Sequence, residues 1–267
     1  MKNIFDLSKK IIVLTGGTGL LGSEYTNTLL EYGATVIISD LKQANPKGKA
    51  DYLNKEYKDK IFGVDCDVSD EKEVINLFEY IKKTFGKLDV VINNAAATGE
   101  HLMREGAVFT SFEDSDLSVW EKTLKINLTG VYLVAREAGK LMIENSSGSI
   151  INVSSTYGVV GPDHRIYNDM KFNSLASYAA AKAGVHGLTR WLSTYWGSQG
   201  IRVNTLVPGG VENNHDPEFV KRYSFRTPLG RMATPKDLSG IILYLSSEAS
   251  SYSTGQQFFV DGGWTAI

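Results

Sequence analysis

The chain has 267 residues, of which 42% are hydrophobic and 22% are charged, with 26 glycines and 6 prolines. This composition excludes collagen, coiled-coil and disordered chains, and the length predicts one domain over residues 1–267 with a sizeable buried core. The formal net charge of −2 excludes the strongly basic surface that binds nucleic acid or an anionic membrane.

The lone cysteine and the first residues bear on location and metal content. Cys66 has no partner for an intrachain disulfide, and the histidines lack the spacing of a zinc site. Residues 1–8 lack the apolar segment of a secretory signal, and no stretch reaches the roughly 20 apolar residues of a membrane span. We therefore expect a cytoplasmic protein that holds no metal and has no membrane or nucleic-acid partner.

Short β-branched runs alternate with longer helical patterns along the chain. Because most of these runs are continuously apolar, they predict strands of a parallel sheet that is covered on both faces. The predicted fold class is therefore α/β, a doubly wound seven-stranded parallel sheet with helices on both faces. The predicted strands are residues 11–15, 35–39, 60–64, 88–92, 149–154, 201–207 and 256–260.

Three long stretches, residues 95–116, 156–177 and 209–228, break the alternation of strand and helix. Each of them follows a predicted strand. Ligands bind at the carboxyl ends of the strands in an open parallel sheet, so these loops are where we expect the substrate.

The first strand leads into TGGTGLLG, from Thr15 to Gly22, and then into a helical pattern. Gly17, Gly19 and Gly22 fit the pattern G-x-G-x-x-G, in which glycines allow a tight turn and the N–H groups of the helix N-terminus receive a pyrophosphate. An isolated match is as often only a glycine turn. Here the second strand ends at Asp40, eighteen residues after Gly22, which favours a dinucleotide site.

Asp40 predicts which dinucleotide binds. Its carboxylate can accept hydrogen bonds from both adenosine ribose hydroxyls and would repel a 2′-phosphate, so we expect NAD rather than NADP. Lys42, two residues on, could favour a 2′-phosphate, but a solvated turn lysine is its simpler interpretation. Asp67–Val68 and Asn93–Ala96 follow the third and fourth strands, where the same dinucleotide could touch them.

Tyr178 and Lys182 lie four residues apart in YAAAK, on one face of a predicted helix. A phenol titrates near pH 10, so acid–base catalysis near pH 7 requires roughly 4 kcal/mol of phenolate stabilisation, part of which a neighbouring cation supplies. Tyr167 and Lys171 repeat the spacing, but only Tyr178 is followed by a helical pattern, with Ser177 as a plausible N-cap.

A series of motifs in one order resembles the short-chain dehydrogenase/reductase family over nearly the whole chain. The motifs are TGGTGLLG, Asp40, CDV, NNAA, KINLTGVY, INVSSTYG, YAAAK, RVNTLVPGG and TGQQFFVDGG. The resemblance implies a Rossmann-like fold and four catalytic residues. Tyr178 would be the acid/base, Lys182 would bind the nicotinamide ribose and lower the tyrosine pKa, and Ser155 would hydrogen-bond the reacting oxygen. Asn127 would hold a water in a proton relay through Lys182.

The same resemblance implies the residues that hold the cofactor. They are Gly16, Thr18, Gly19, Leu20, Leu21, Gly22, Asp40, Asp67, Val68, Asn94, Ala95, Ala96, Tyr178, Lys182, Pro208, Gly209 and Val211.

Several positions test or depart from the family pattern. Ser155 is assigned to catalysis because it stands three residues before Gly158, which leaves Ser154 a structural role.

Leu20 occupies a glycine position of the common single-domain form, a departure that bears on the local geometry of the turn. Asn213 replaces a common threonine that helps to position the cofactor. The chain lacks the additional C-terminal region of extended members, so we expect the single-domain type.

Tyr178 follows Ser155 by twenty-three residues, about ten more than is usual in the family, and this insertion should flank the pocket. Its polar and cationic side chains suit a polyhydroxylated or anionic substrate. The insertion also resembles the family branch associated with flagellin modification and sialic-acid-like sugar biosynthesis. The expected substrate contacts are Ser155, His164, Arg165, Tyr178 and Asn213.

The leading hypothesis is an NAD-dependent oxidoreductase that interconverts a secondary alcohol and a ketone on a polar, sugar-type small molecule, with or without a phosphate or nucleotide group. Two alternatives stay open: a 3-oxoacyl thioester reductase that uses NADPH, and a dinucleotide-binding regulator without turnover. The resemblance further implies a homodimer or homotetramer, paired through helices over residues 127–144 and 178–196 and through the C-terminal strand.

Overall fold

The computed structural model describes residues 3–104, 106, 111–170 and 173–267. Among these residues, seven strands form one sheet in the order β3-β2-β1-β4-β5-β6-β7, and all neighbouring strands run parallel. The predicted seven-stranded parallel sheet is thus confirmed. The strands are β1 (Ile11–Thr15), β2 (Thr35–Asp40), β3 (Ile61–Asp65), β4 (Val90–Asn93), β5 (Gly148–Val153), β6 (Ile201–Pro208) and β7 (Gln257–Val260).

Helices connect the strands and cover the sheet. The described helices are α1 (Leu20–Glu31), α2 (Pro46–Tyr57), α3 (Glu71–Phe85), α4 (Gly99–Arg104), α5 (Leu117–Leu124), α6 (Gly130–Glu144), α7 (Ala176–Trp196), α8 (Pro217–Arg226) and α9 (Ser239–Ser246). A π-helical turn, Lys125–Thr129, joins α5 to α6.

The alternation of side chains along β1 shows why both faces of the sheet must be covered. Val13 belongs to one hydrophobic cluster, with residues of α3, α6 and α7, whereas Ile12 and Leu14 belong to a second cluster, with residues of α1 and α9. Successive residues of a strand point to opposite faces, so a continuously apolar strand needs a helix layer on each side.

The order of the strands fixes where a ligand can bind. The chain winds outward from β1 through β2 to β3 and then returns to β4 on the other side of β1. The loops after β1 and β4 therefore diverge and leave a crevice at the carboxyl edge of the sheet. The three long loops of the sequence also follow strands at this edge, after β4, β5 and β6.

Candidate active site

A cleft of about 1040 Å³ lies at the carboxyl edge of the sheet. All seventeen residues expected to hold the cofactor line this cleft, and they come from the ends of β1, β2, β4 and β6, the segment after β3, and the start of α7. Of the expected substrate contacts, Ser155, Tyr178 and Asn213 line it as well.

The glycine turn between β1 and α1 is built by close backbone approach. Gly16 has a φ of +65°, which favours glycine. A Cβ at Gly22 would lie 2.1 Å from the carbonyl oxygen of Gly16, and one at Gly17 would lie 2.6 Å from the Cβ of Ile38. Leu20 begins α1 in ordinary helical conformation with its side chain exposed, so the departure at this position does not disturb the turn. The first residues of α1 line the cleft, where the N-terminus of a helix can bind an anion.

Asp40 ties the end of β2 to the glycine turn. Its Oδ2 accepts hydrogen bonds from the Thr18 N–H (3.0 Å) and from the Thr18 hydroxyl, and its Oδ1 accepts one from the Leu41 N–H (2.9 Å). The carboxylate lines the cleft, whereas the exposed Lys42 does not. The described residues thus place an anion, and not Lys42, beside the turn.

The end of β4 is hydrogen-bonded to the end of β1 and to the glycine turn. Asn94 Nδ2 donates to the carbonyl oxygens of Thr15 (3.0 Å) and Gly16 (3.2 Å). The Thr15 hydroxyl accepts from the N–H groups of Asn94 and Ala95, each at 3.1 Å. These contacts hold the ends of β1 and β4 together on one side of the crevice.

Tyr178 and Lys182 lie in the first turns of α7, next to the end of β5. Lys182 is only 2% exposed, its Nζ donates to the Val153 carbonyl oxygen at 2.8 Å, and it lies 5.7 Å from the centroid of the Tyr178 ring. Burial lowers the pKa of Lys182 to about 8. Burial also raises the pKa of Tyr178, and a hydrogen bond with Ser155 opposes that rise. Each charge alone is disfavoured here, so phenolate and ammonium stabilise each other best as a pair.

Two adjacent serines follow β5 and differ in environment. Ser155 lines the cleft, and its Oγ accepts from the Tyr157 N–H at 3.2 Å. Ser154 is buried, donates to the Lys182 carbonyl oxygen at 2.9 Å and lies 3.0 Å from Nε2 of His186. Since the Ser154 proton is used in the first of these bonds, His186 must donate through Nε2. Its neutral form agrees with the pKa, which burial lowers to about 4.

Asn127 lies in the π-helical turn and is completely buried. Its Oδ1 accepts from the Ala97 N–H (2.7 Å) and its Nδ2 donates to the Ala97 carbonyl (2.9 Å). The side chain thus fixes the loop after β4 and does not line the cleft. A water relay through Asn127 stays a prediction.

His164 and Arg165, two of the expected substrate contacts, are not among the residues that line the cleft. His164 Nδ1 lies 2.9 Å from Oδ1 of Asn173, and the largely exposed Arg165 makes a bidentate ion pair with Asp163, at 2.8 and 2.7 Å. Both side chains thus have local partners outside the cleft lining, and their contact with a substrate stays a prediction.

The start of α7 also differs from expectation. The helix begins at Ala176 after Leu175, so Ser177 is buried in the first turn and is not the N-cap. Of the competing Y-x-x-x-K pair, Tyr167 ends a 3-10 turn, His164–Tyr167, and Lys171 lies outside the described residues.

The sequence did not single out the aromatic side of the cleft. Its lining includes Tyr157, Tyr167, His215, Phe219 and Tyr223. They come from the insertion after β5 and from the segment that contains α8, which meet in a third hydrophobic cluster. Tyr157 lies within the INVSSTYG motif, but only the folded loop shows that it lines the cleft.

The described residues contain no group of histidine, cysteine, aspartate and glutamate side chains that could hold a metal ion. Among the same residues, we find no helix with the length and apolar character to cross a membrane.

Comparison with known proteins gives relatives along nearly the whole chain. A family model described as enoyl-(acyl carrier protein) reductase matches residues 20–265. Sorbose reductase of Candida albicans is 34% identical over 98% of this chain and 89% of its own length. Trans-4-hydroxycyclohexanecarboxylate dehydrogenase of Sinomonas cyclohexanicum is 34% identical over 97% and 94%. The 3-oxoacyl-(acyl-carrier-protein) reductase of Aquifex aeolicus is 30% identical over 96% and 98%.

Solved structures share the fold and differ in their cofactor. A short-chain dehydrogenase from Leptospira borgpetersenii with bound NAD⁺ has a TM-score of 0.86 and 33% identity, covering 99% of this chain and 96% of its own. A gluconate 5-dehydrogenase from Burkholderia cenocepacia, in complex with NADP and tartrate, has a TM-score of 0.87 and 27% identity, covering 99% and 98%.

The buried Lys182 predicts a specific dependence of stability on pH. Its pKa is about 8 in the folded chain, below the ordinary lysine value of 10.5, so between these pH values the unfolded chain binds the extra proton. The free energy of unfolding of the wild type, relative to Lys182→Met, should therefore fall by roughly 3 kcal/mol as the pH drops from about 10.5 to 8. It should stay constant below pH 8. Urea denaturation of both proteins across this range measures the difference, and a flat difference would contradict the burial of the ammonium.

Proposed function

Because the chain belongs to the short-chain dehydrogenase/reductase family and is an oxidoreductase of CH–OH groups, we propose that it uses NAD to interconvert a secondary alcohol and a ketone on a sugar-type substrate. The observation that carries this proposal is the placement of Tyr178, Lys182 and Ser155 in the same cleft as the glycine turn and Asp40. The likeness to the branch of flagellin modification and sialic-acid-like sugars stays a prediction.

The glycine turn fits the dinucleotide. A Cβ at Gly22 would fill the space against Gly16, and the N-terminal N–H groups of α1 suit a pyrophosphate. We assign Asp40 to the adenosine ribose and Lys182 to the nicotinamide ribose. When bound, NAD supplies the ring carbon that accepts the hydride.

Residues of this chain accept and donate the proton. Tyr178, as the phenolate, takes the hydroxyl proton of the alcohol, and the Lys182 ammonium stabilises that phenolate. Ser155 hydrogen-bonds the reacting oxygen and keeps it beside the phenol. In the reverse direction Tyr178 donates the proton to the developing alkoxide.

The alternatives differ in the support they have. The relative from Aquifex aeolicus, named as a 3-oxoacyl reductase, keeps reduction of an oxoacyl thioester as a second candidate. Its expected NADPH is disfavoured by the Asp40 carboxylate at the glycine turn. A regulator without turnover is disfavoured because Tyr178, Lys182 and Ser155 are all present and together.

Replacing Tyr178 by Phe tests the catalytic assignment. The variant loses the only atom that exchanges the proton, so NAD-linked turnover of alcohols should be abolished while NADH binding is retained. Absorbance at the NADH wavelength measures turnover and fluorescence titration measures binding. Tyr52→Phe, at an exposed position of α2, is the matched control and should behave like the wild type. Retained activity in the Tyr178 variant would overturn the mechanism.

Replacing Asp40 by Asn tests the choice of cofactor. The amide keeps an oxygen for Thr18 but removes the charge that repels a 2′-phosphate, so the ratio of kcat/KM for NAD to that for NADP should fall about tenfold. Steady-state kinetics with both cofactors give the ratio. Lys42→Ala is the control, because that side chain lies outside the cleft, and it should leave the ratio unchanged. An Asn variant that retains the wild-type ratio would exclude Asp40 as the determinant.

We also propose a homodimer or homotetramer that pairs through α6 and α7. In support, Trp191 and Tyr195 of α7 are 59% and 58% exposed and stack at 4.7 Å, and Tyr132 of α6 is exposed as well. Light scattering should give a dimer or tetramer, and Trp191→Glu should shift it to smaller species. A wild-type monomer would exclude this assembly.

The single domain and the cytoplasmic location stay predictions from the sequence.

A further inference from the structure

The insertion after β5 places two tyrosines together beside the catalytic residues. The hydroxyls of Tyr157 and Tyr167 lie 2.9 Å apart, and both side chains are partly buried and line the cleft. The Tyr157 N–H also donates to Oγ of Ser155, the hydroxyl that we assign to the reacting oxygen. The pair is therefore attached directly to the catalytic centre.

A hydrogen bond between two phenols has a simple consequence for donors. One phenol donates its O–H to the oxygen of the other, and the accepting phenol keeps its own O–H to donate elsewhere. Both phenols line the cleft, so whichever of them accepts keeps an O–H that can donate to a ligand there. Burial and the neighbouring tyrosines keep the pKa of Tyr157 above its ordinary value, so it stays a neutral donor at physiological pH.

The surroundings of the pair suit a ring-shaped substrate. Tyr167 lies 5.4 Å from Phe219, and His215 lies 5.2 Å from the same ring, measured between centroids. Tyr223 stacks on the buried Trp264 at 4.2 Å. An aromatic wall with a few fixed polar groups is how small-molecule sites combine apolar contact with orientation.

We propose that Tyr157 is a specificity-determining residue, which donates a hydrogen bond to a second oxygen of the substrate on a carbon next to the reacting one. Tyr167 is a positioning residue that orients the Tyr157 hydroxyl. The substrate class is therefore a cyclic polyol, or its ketone, with neighbouring oxygens. This inference rests on the proposed function.

The test compares two alcohols that differ by one hydroxyl, cyclohexanol and trans-1,2-cyclohexanediol, with NAD⁺ as the oxidant. The measured quantity is the ratio of kcat/KM for the diol to kcat/KM for cyclohexanol. The wild type should favour the diol, and Tyr157→Phe should lower the ratio about tenfold, because a buried donor to the second hydroxyl is lost.

Two further variants separate recognition from folding. Tyr167→Phe should lower the same ratio by a smaller factor with an unchanged melting temperature, which a purely structural role would not produce. Tyr80→Phe, on α3 far from the insertion, is the matched control and should keep the wild-type ratio.

The outcomes distinguish this inference from the function on which it rests. A wild type without preference for the diol, or a Tyr157→Phe variant with the wild-type ratio, would overturn the inference and leave the oxidoreductase intact. A wild type that oxidises no alcohol with either NAD⁺ or NADP⁺ would overturn the proposed function and this inference with it.

Discussion

The burial of the Lys182 side chain against the end of β5 is the constraint on which the rest of the site depends. An ammonium in this position loses most of its hydration and recovers one hydrogen bond, to the Val153 carbonyl. The phenolate of Tyr178, one helical turn earlier, is the partner that makes the charge favourable. Lys182 therefore lowers the stability of the folded chain while Tyr178 is a neutral phenol, and it stabilises the phenolate once Tyr178 ionises. Such a group trades stability for activity.

Lys182 can stabilise the Tyr178 phenolate only if α7 keeps a fixed position on the sheet. A series of buried, hydrogen-bonded polar side chains holds it there. Asn93 Nδ2 donates to Asn152 Oδ1 at 2.8 Å, and Asn152 Nδ2 donates to the Thr189 hydroxyl at 2.9 Å. The Thr205 hydroxyl donates to the same Thr189 oxygen at 2.8 Å. The chain thus joins β4, β5, α7 and β6. Since moving the helix would break these buried hydrogen bonds, the network favours this placement of α7 and hence of Tyr178.

A feature of this structure can be predicted from the sequence alone where residues close together in the chain determine it. The strands and the glycine turn were predicted well, because apolar runs and close backbone approach leave direct marks in the residue pattern. Asn127, His164 and Arg165 were assigned to the site by motif or by loop position. In the structure their side chains contact Ala97, Asn173 and Asp163, and no local pattern reveals those partners. Ser177 failed as an N-cap for a similar reason, since tertiary packing buries it.

The same contrast separates two parts of the cleft. Tyr178, Lys182 and Ser155 sit on a helix and a strand end whose positions the core determines. Tyr157 follows Ser155 by only two residues, yet its direction depends on Tyr167 and on the cluster that the insertion shares with α8. That cluster lies outside the two layers that cover the sheet, so a change in the insertion can redirect Tyr157 without disturbing the core.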